Sequence, residues 1–388
     1  MGPPLPSSPR GEATDRLAAL EPDTVRLAMD VTLMKPTARD WLRRNLFSDA
    51  FSSVTTLALL AAALWWLPQA IDWLLLQAVF RPDAAACEAV SHAGACWGVV
   101  AEKYRVILFG RYPYEEQWRP LLATALLLSV ILASGLRLLP RNALLAAWAL
   151  ALPGFLLLMG GGWFGLGRVG SDQWGGLPLT LLLATLGMLL ALPLALLVAL
   201  GRQSALPLLR GLCTLYVELV RGVPLISVLF LASFLFPMIL PQGTSVDVLL
   251  RVQGGIVLFA AAYLSETIRG GLQGVPAGQH DAAAALGLGR WQALRWIILP
   301  QALRAVVPSM MNSAVSIFKD TSLVTVVSMY ELTGALSLAL AGDAQWRSFH
   351  LEGYLFIGMI YWIGCYAMSR FSRGLERADG IPQQNRTA

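Results

Sequence analysis

The chain has 388 residues, 56% of them hydrophobic and only 14% charged, with a mean hydropathy of +0.60. Soluble domains carry about a quarter charged residues, so this composition excludes an ordinary water-soluble protein. The net charge of +5 does not point to nucleic acid, because the arginines flank apolar blocks, where positive charge orients membrane segments.

Residues 1–53 mix proline, serine and charge, hold no long apolar run and end on a basic stretch with Arg39, Arg43 and Arg44. They read as a cytoplasmic tail. The first long apolar block begins near Val54, too far along and too long for the core of a cleaved signal, so it is expected to remain as an anchor.

Apolar blocks predict eight spans, at 54–76, 120–138, 143–161, 177–200, 215–240, 252–271, 308–330 and 351–370. The clearest, Leu177 to Leu200, is uncharged throughout and reaches about 36 Å as a helix. Away from water each backbone N–H and C=O must be paired within its own segment, which requires helices; the short alternating segments of a transmembrane barrel are not what these runs show. The fold class is an all-α integral membrane protein with about eight transmembrane helices. An even number of spans behind a basic tail puts both termini in the cytoplasm, together with Arg137, Arg141, Arg202, Arg210, Arg370, Arg373 and Arg377.

The loop 81–119 balances its basic and acidic residues, which suits the outer face, and carries Cys87 and Cys96. In an oxidising compartment this pair can close a disulfide, worth about 2–3 kcal/mol, or it can stay as two thiols. Glu218 and Arg221 lie three apart on one helical face and can pair, either bracing the helix or offsetting the cost of burial.

The segment 272–307 is expected in the cytoplasm, with Arg290, Arg295 and Arg304 against a single acid, Asp281. Asp281-Ala282-Ala283-Ala284-Ala285-Leu286-Gly287 followed by Ile297-Ile298-Leu299-Pro300 predicts a short helix, a break and a second helix closed by proline. The alanines favour helix and let a partner approach the backbone, while Asp281 offers charge near the helix start. Such a knob suits a groove on a cytosolic protein; the competing reading is a small-residue helix lying against its own bundle.

Lys319 and Asp320 fall inside the predicted span 308–330, where charge is costly and points to function. An adjacent cation and anion can hold a zwitterionic solute, or they can satisfy each other. His92, His280 and His350 lie far apart without cysteine or carboxylate at ligand spacing, so neither metal nor other cofactor is expected. Ser265 and Glu266 offer no catalytic triad.

These motifs resemble the Glu-Ala-Ala loop of bacterial ABC importer permeases, with Asp281 in place of the glutamate. Tyr216-Val217-Glu218-Leu219-Val220-Arg221-Gly222-Val223-Pro224-Leu225 and Phe318-Lys319-Asp320-Thr321-Ser322-Leu323 resemble the polar amino-acid branch of that family. Gly94-Ala95-Cys96-Trp97 and Gly110-Arg111-Tyr112-Pro113 are similar to the long permease subunit of general L-amino-acid transporters. The resemblance implies a five-helix type I importer permease core over 177–377, preceded over 54–176 by three added spans and followed by a cytoplasmic tail, 378–388.

It further implies that Asp281 to Gly287 form a coupling helix on a cytosolic ABC ATPase dimer, alongside a homologous second permease and a periplasmic amino-acid-binding protein. Such a complex imports L-amino acids across the bacterial inner membrane. The chain contains no Gly-Lys dipeptide and so has no phosphate-cradling P-loop; the ATPase must be another chain. An ion-coupled secondary transporter and a non-transporting assembly protein are the rival readings.

Overall fold

A computed structural model describes residues 37–90 and 93–378; His92 and most of the predicted tails lie outside the described residues. The chain divides into two compact units, residues 1–77 and 78–388. In the first, Thr37 caps α1 (Ala38–Asn45), and the Asp49 carboxylate caps α2 (Ala50–Ile71) by accepting from the Ser52 N–H at 2.9 Å. That cap starts the helix four residues before the predicted span. The Thr56 hydroxyl donates to Leu46 O at 2.8 Å, joining the two helices.

The second unit opens with α3 (Ala84–Ala89) and α4 (Gly98–Phe109), then α5 (Trp118–Gly135) and α6 (Arg141–Gly160). Next come α7 (Gly176–Arg202), α8 (Pro207–Arg221) and α9 (Leu225–Phe230), which continues through a π turn into α10 (Phe236–Ile239). After α11 (Val248–Gln273) follow α12 (Ala277–Ala285), α13 (Arg290–Ala293), α14 (Leu299–Asp320), α15 (Leu332–Ala341) and α16 (His350–Ala378).

Helix α7 packs along α11, and α14 lies against both. Leu183, Ala191, Ala195 and Ala199 of α7 meet Ile256, Ala260, Leu264 and Ile268 of α11 in one buried cluster. Alanine on the facing sides lets the backbones come close, which is how helices associate where lipid offers no hydrophobic drive. A second cluster joins α5 and α6 to α7 through Leu127, Phe155 and Leu182. A third joins Val99 and Ile107 of α4 to Leu336 and Leu340 of α15.

Among the described residues, six helices are long and apolar enough to cross a membrane: Ala50–Leu76, Tyr114–Gly135, Arg141–Gly160, Gly176–Arg202, Val248–Gln273 and His350–Gly374. Two predicted spans take another form. The block 215–240 is a pair, Pro207–Arg221 and Leu225–Ile239, bent by 106°. Pro224, which lacks an N–H and restricts the residue before it, ends the first helix and starts the second. The block 308–330 ends as an α-helix at Asp320 and tightens into a 3-10 turn over Thr321–Val327. Five of those seven residues are β-branched, and their stiff side chains weaken the α-helix.

Candidate functional site

Helix α12 projects between α11 and α14. The Gly287 N–H donates to Ala284 O at 2.9 Å and the Leu288 N–H to Ala283 O at 3.1 Å. These two bonds form a Schellman turn around Gly287, whose φ of 75° lies in the left-handed region that glycine enters at no steric cost. Ala283 is buried, whereas Asp281, Ala282, Ala284, Ala285, Leu286 and Gly287 are exposed. The Gln301 amide donates to Gln279 Oε1 at 3.1 Å, pinning α12 to α14.

Two expectations for this loop need correction. Asp281 is the fifth residue of α12, because the helix starts at Ala277 after Pro276; it lies beyond the first turn, where a carboxylate gains from the helix dipole. Pro300 does not close the second helix. A π turn over Leu294–Ile298 precedes α14, and Pro300 sits in the first turn of that helix. Its missing N–H is tolerated there, and the chain continues to Asp320.

Beneath the loop, the ends of α7, α8 and α11 meet in a charge cluster. Arg202 reaches Glu266 at 2.6 Å and Glu218 at 3.2 Å, while Arg221 stands 4.0 Å from Glu266 and Arg269 pairs with the same carboxylate. Glu218 and Arg221 therefore do not form the pair expected from their spacing. Each turns to a residue of another helix, because α7 and α11 bring opposite charges closer than their own helix does. The sequence signal for Glu266 and Arg269 is their i, i+3 spacing at the end of an apolar block.

A cleft of about 570 Å³ opens beside this cluster, between α11 and α14, lined by Glu266, Thr267, Pro276, Gln301, Ala305 and Ser309 among others. The two helices cross tightly at Gly271, where a Cβ would stand 2.7 Å from Ala302 O.

Lys319 and Asp320 close α14. Lys319 is exposed and Asp320 partly buried, and neither forms a salt bridge among the described residues. Asp320 lines a small recess with Leu225, Ile256, Phe259, Ile317 and Thr321.

At the other end of α7 lies a buried carboxylate that sequence reading passed over. Glu331, fully buried, caps α15 by accepting from the Thr333 and Gly334 N–H groups at 2.8 and 3.0 Å. The Thr325 hydroxyl donates to it at 3.0 Å and the Tyr361 hydroxyl at 2.8 Å. The Leu332 N–H donates to the Thr180 hydroxyl at 3.1 Å. One residue thus joins α15 to the 3-10 turn and to α16, with α7 held alongside. A single acid before Leu-Thr-Gly carries only a weak capping signal in the sequence.

The loop before α5 is fastened to the same end. Cys87 and Cys96 are bonded to each other, with Cα atoms 5.4 Å apart, and the Cys96 N–H donates to the buried Glu352 carboxylate at 2.9 Å. Lys103 donates to Asp343 at 2.8 Å and holds that carboxyl below its ordinary value of 3.8. The Tyr112 hydroxyl donates to Met159 O at 3.0 Å, and burial pushes its pKa up to about 12. Fully buried Arg119 donates to Leu158 O at 2.7 Å and Gly167 O at 2.9 Å and pairs with Glu116, tying α5 to α6.

The sequence that builds this multi-helix core with its exposed, glycine-closed helix has relatives among known proteins. Residues 191–378 match the family described as the binding-protein-dependent transport system inner membrane component. The inner membrane amino-acid ABC transporter permease protein YhdY of Escherichia coli (strain K12) is 42% identical over 340 residues, covering 87% of this chain and 92% of its own. The chain belongs to the amino-acid ABC transporter permeases. A second relative of this permease is the glutamate/glutamine/aspartate/asparagine transport system permease protein BztC of Rhodobacter capsulatus. It is 34% identical over 401 residues, with the same two shares of 87% and 92%. A solved amino acid ABC transporter with histidines is 26% identical, covers 51% of the permease and 90% of its own chain, and has a TM-score of 0.47. The permease is accordingly a multi-pass membrane component, of a family that works with an ATPase and a substrate-binding protein.

Proposed function

We propose that this permease imports L-amino acids across the bacterial inner membrane by docking α12 in a groove of a cytosolic ATPase dimer. The observation carrying this reading is the exposure of six of the seven residues Asp281 to Gly287 on a helix tied to α14 through Gln279 and closed by its own glycine turn. Bulk-free Ala284 and Ala285 admit a close partner, Leu286 offers an apolar contact, and Asp281, without a salt bridge among the described residues, meets a basic residue of that groove. ATP is hydrolysed by the partner. ATP binding draws the coupling helices together and tilts the bundles from inward-facing to outward-facing.

In this reading residues 177–377 form the core, 54–176 add three spans, and both termini and the loop 272–307 face the cytoplasm. The disulfide-clipped loop faces the periplasm, where an amino-acid-binding protein delivers the substrate. A homologous second permease subunit completes the pathway, and Lys319 and Asp320 line it. The Arg202–Glu266 cluster passes the movement of α12 to α7, α8 and α11.

The test is uptake of labelled amino acids into proteoliposomes containing the whole transporter, with a cysteine introduced at Ala285. The expected result is uptake only with ATP, and cross-linking of Ala285→Cys to the ATPase subunit. Uptake by the permease alone, driven by an ion gradient, would refute the reading in favour of a secondary carrier.

A further inference from the structure

Two Arg-Trp pairs stand five residues apart at the start of the helix that follows the Gly287 turn: Arg290-Trp291 and Arg295-Trp296. The first pair opens a short α-helical turn, Arg290–Ala293, and the second lies within the π turn that follows it, Leu294–Ile298. Trp291 is 67% exposed and Trp296 69%. Arg290 and Arg295 are exposed as well, and neither has an acidic partner among the described residues; the Arg295 guanidinium lies 5.4 Å over the Trp296 ring. Immediately beyond, Ile298 and Ala302 are buried in the bundle.

These facts conflict with either simple environment. A surface in free water would leave two tryptophans exposed without gain, and a surface in hydrocarbon would strand two unpaired guanidinium groups. The membrane interface accommodates both, since indole rings settle at headgroup depth and arginines there meet negative charge.

We propose that residues 290–296 form a binding site for the headgroup of an anionic phospholipid in the cytoplasmic leaflet. Arg290 and Arg295 contact its phosphate, and Trp291 and Trp296 sit where the headgroups meet the acyl chains. The site holds the rising limb of the loop at a fixed depth while α12, on the far side of Gly287, stays free for its partner. The inference rests on the cytoplasmic placement of this loop proposed above.

The test uses the complete transporter in detergent, titrated with phosphatidylglycerol and with phosphatidylcholine and read by native mass spectrometry. Arg290→Gln with Arg295→Gln is expected to weaken phosphatidylglycerol binding about 25-fold, about fivefold per charge, and to leave phosphatidylcholine unchanged. Trp291→Leu with Trp296→Leu weakens both lipids. Millimolar glycerol phosphate leaves the bound lipid in place, which separates a membrane lipid from a free phosphate; displacement by it would overturn the lipid assignment. Unchanged phosphatidylglycerol binding in the arginine variant overturns the proposal. Loss of the ATPase subunit from that variant, with lipid binding intact, does so in favour of a protein contact. Impermeant labelling of Gln292→Cys in sealed vesicles reads the placement separately. Labelling from the outside overturns both the placement and this site, whereas labelling from the inside with unchanged lipid binding overturns the site alone.

Discussion

Arg202 Nη1 stands 2.6 Å from Glu266 Oε2, a contact between residues 64 apart that ties the last residue of α7 to the penultimate turns of α11. Arg221 and Arg269 share the same carboxylate. Glu266→Gln leaves Arg202, Arg221 and Arg269 with only the Glu218 carboxylate, 3.2 Å from Arg202, to balance three guanidinium charges. With Glu266 about a quarter exposed, solvent screening limits the loss to about 1–2 kcal/mol. The measurement is thermal unfolding of the purified transporter; an unchanged midpoint would refute the bracing role. Uptake is expected to fall more than ATP hydrolysis if the cluster passes on the movement of α12 as proposed above.

Gly287→Val places a β-branched residue at a φ of 75°. Open space surrounds a Cβ there, so the penalty is backbone strain alone, about 1–2 kcal/mol, and it falls on the Schellman turn. Gly287→Asn, which tolerates this conformation, is expected to keep most activity. The readout is co-purification of the ATPase with the permease, low for valine and near normal for asparagine.

Glu331→Ala removes the cap of α15 and leaves the Thr333 and Gly334 N–H groups and the Tyr361 hydroxyl without their acceptor. Loss of a cap combined with stranded buried donors costs about 3 kcal/mol. Tyr361→Phe removes one donor and no acceptor, so its expected cost is about 1 kcal/mol. Thermal unfolding of both variants gives the comparison, and equal losses would contradict the assignment.

Cys87→Ser with Cys96→Ser opens a loop closed across nine positions, which lowers stability by about 2–3 kcal/mol through the regained freedom of the unfolded chain. Treatment of the wild-type protein with a reductant is expected to lower the unfolding midpoint by the same amount. A midpoint unmoved by both would contradict the clip.

The Lys103–Asp343 pair gives a pH dependence with a defined sign. The hydrogen bond from Lys103 depresses the Asp343 pKa in the folded state, so the unfolded chain takes up the proton first. The stabilisation is complete above the ordinary value of 3.8 and is lost as pH falls through the lower, folded value. Lys103→Met is therefore expected to lower stability in the neutral region and to leave the acid end, where the pair contributes nothing, little changed, so that the profile flattens. Thermal midpoints from pH 3 to 7, roughly spanning carboxylate titration, give the test.

Much of this organisation is local and therefore visible in the chain. Leu177 to Leu200 is too long and too apolar to be anything but buried in lipid or core, and α7 occupies Gly176–Arg202. The Asp281 to Gly287 knob rests on alanine propensity and one left-handed glycine, both of which act within a few residues. The breaks at Pro224 and after Asp320 carry local signals too, a proline and a β-branched run, yet hydropathy averaged over a span hides them. Glu218 and Arg221 show where local spacing misleads: their neighbours along one helix are less close than Arg202 and Glu266 on others.

The sequence by itself determined the solvent, the helical class and the family, because burial of backbone polar groups in lipid and the residues of the 272–307 loop leave few alternatives. Only the tertiary structure decided which acid each arginine meets, that Glu331 gathers three elements around α7, and that Cys96 and Glu352 fasten the loop 81–119. Those choices depend on distances between residues up to 256 positions apart, and such distances are set by how helices pack, which no local pattern encodes.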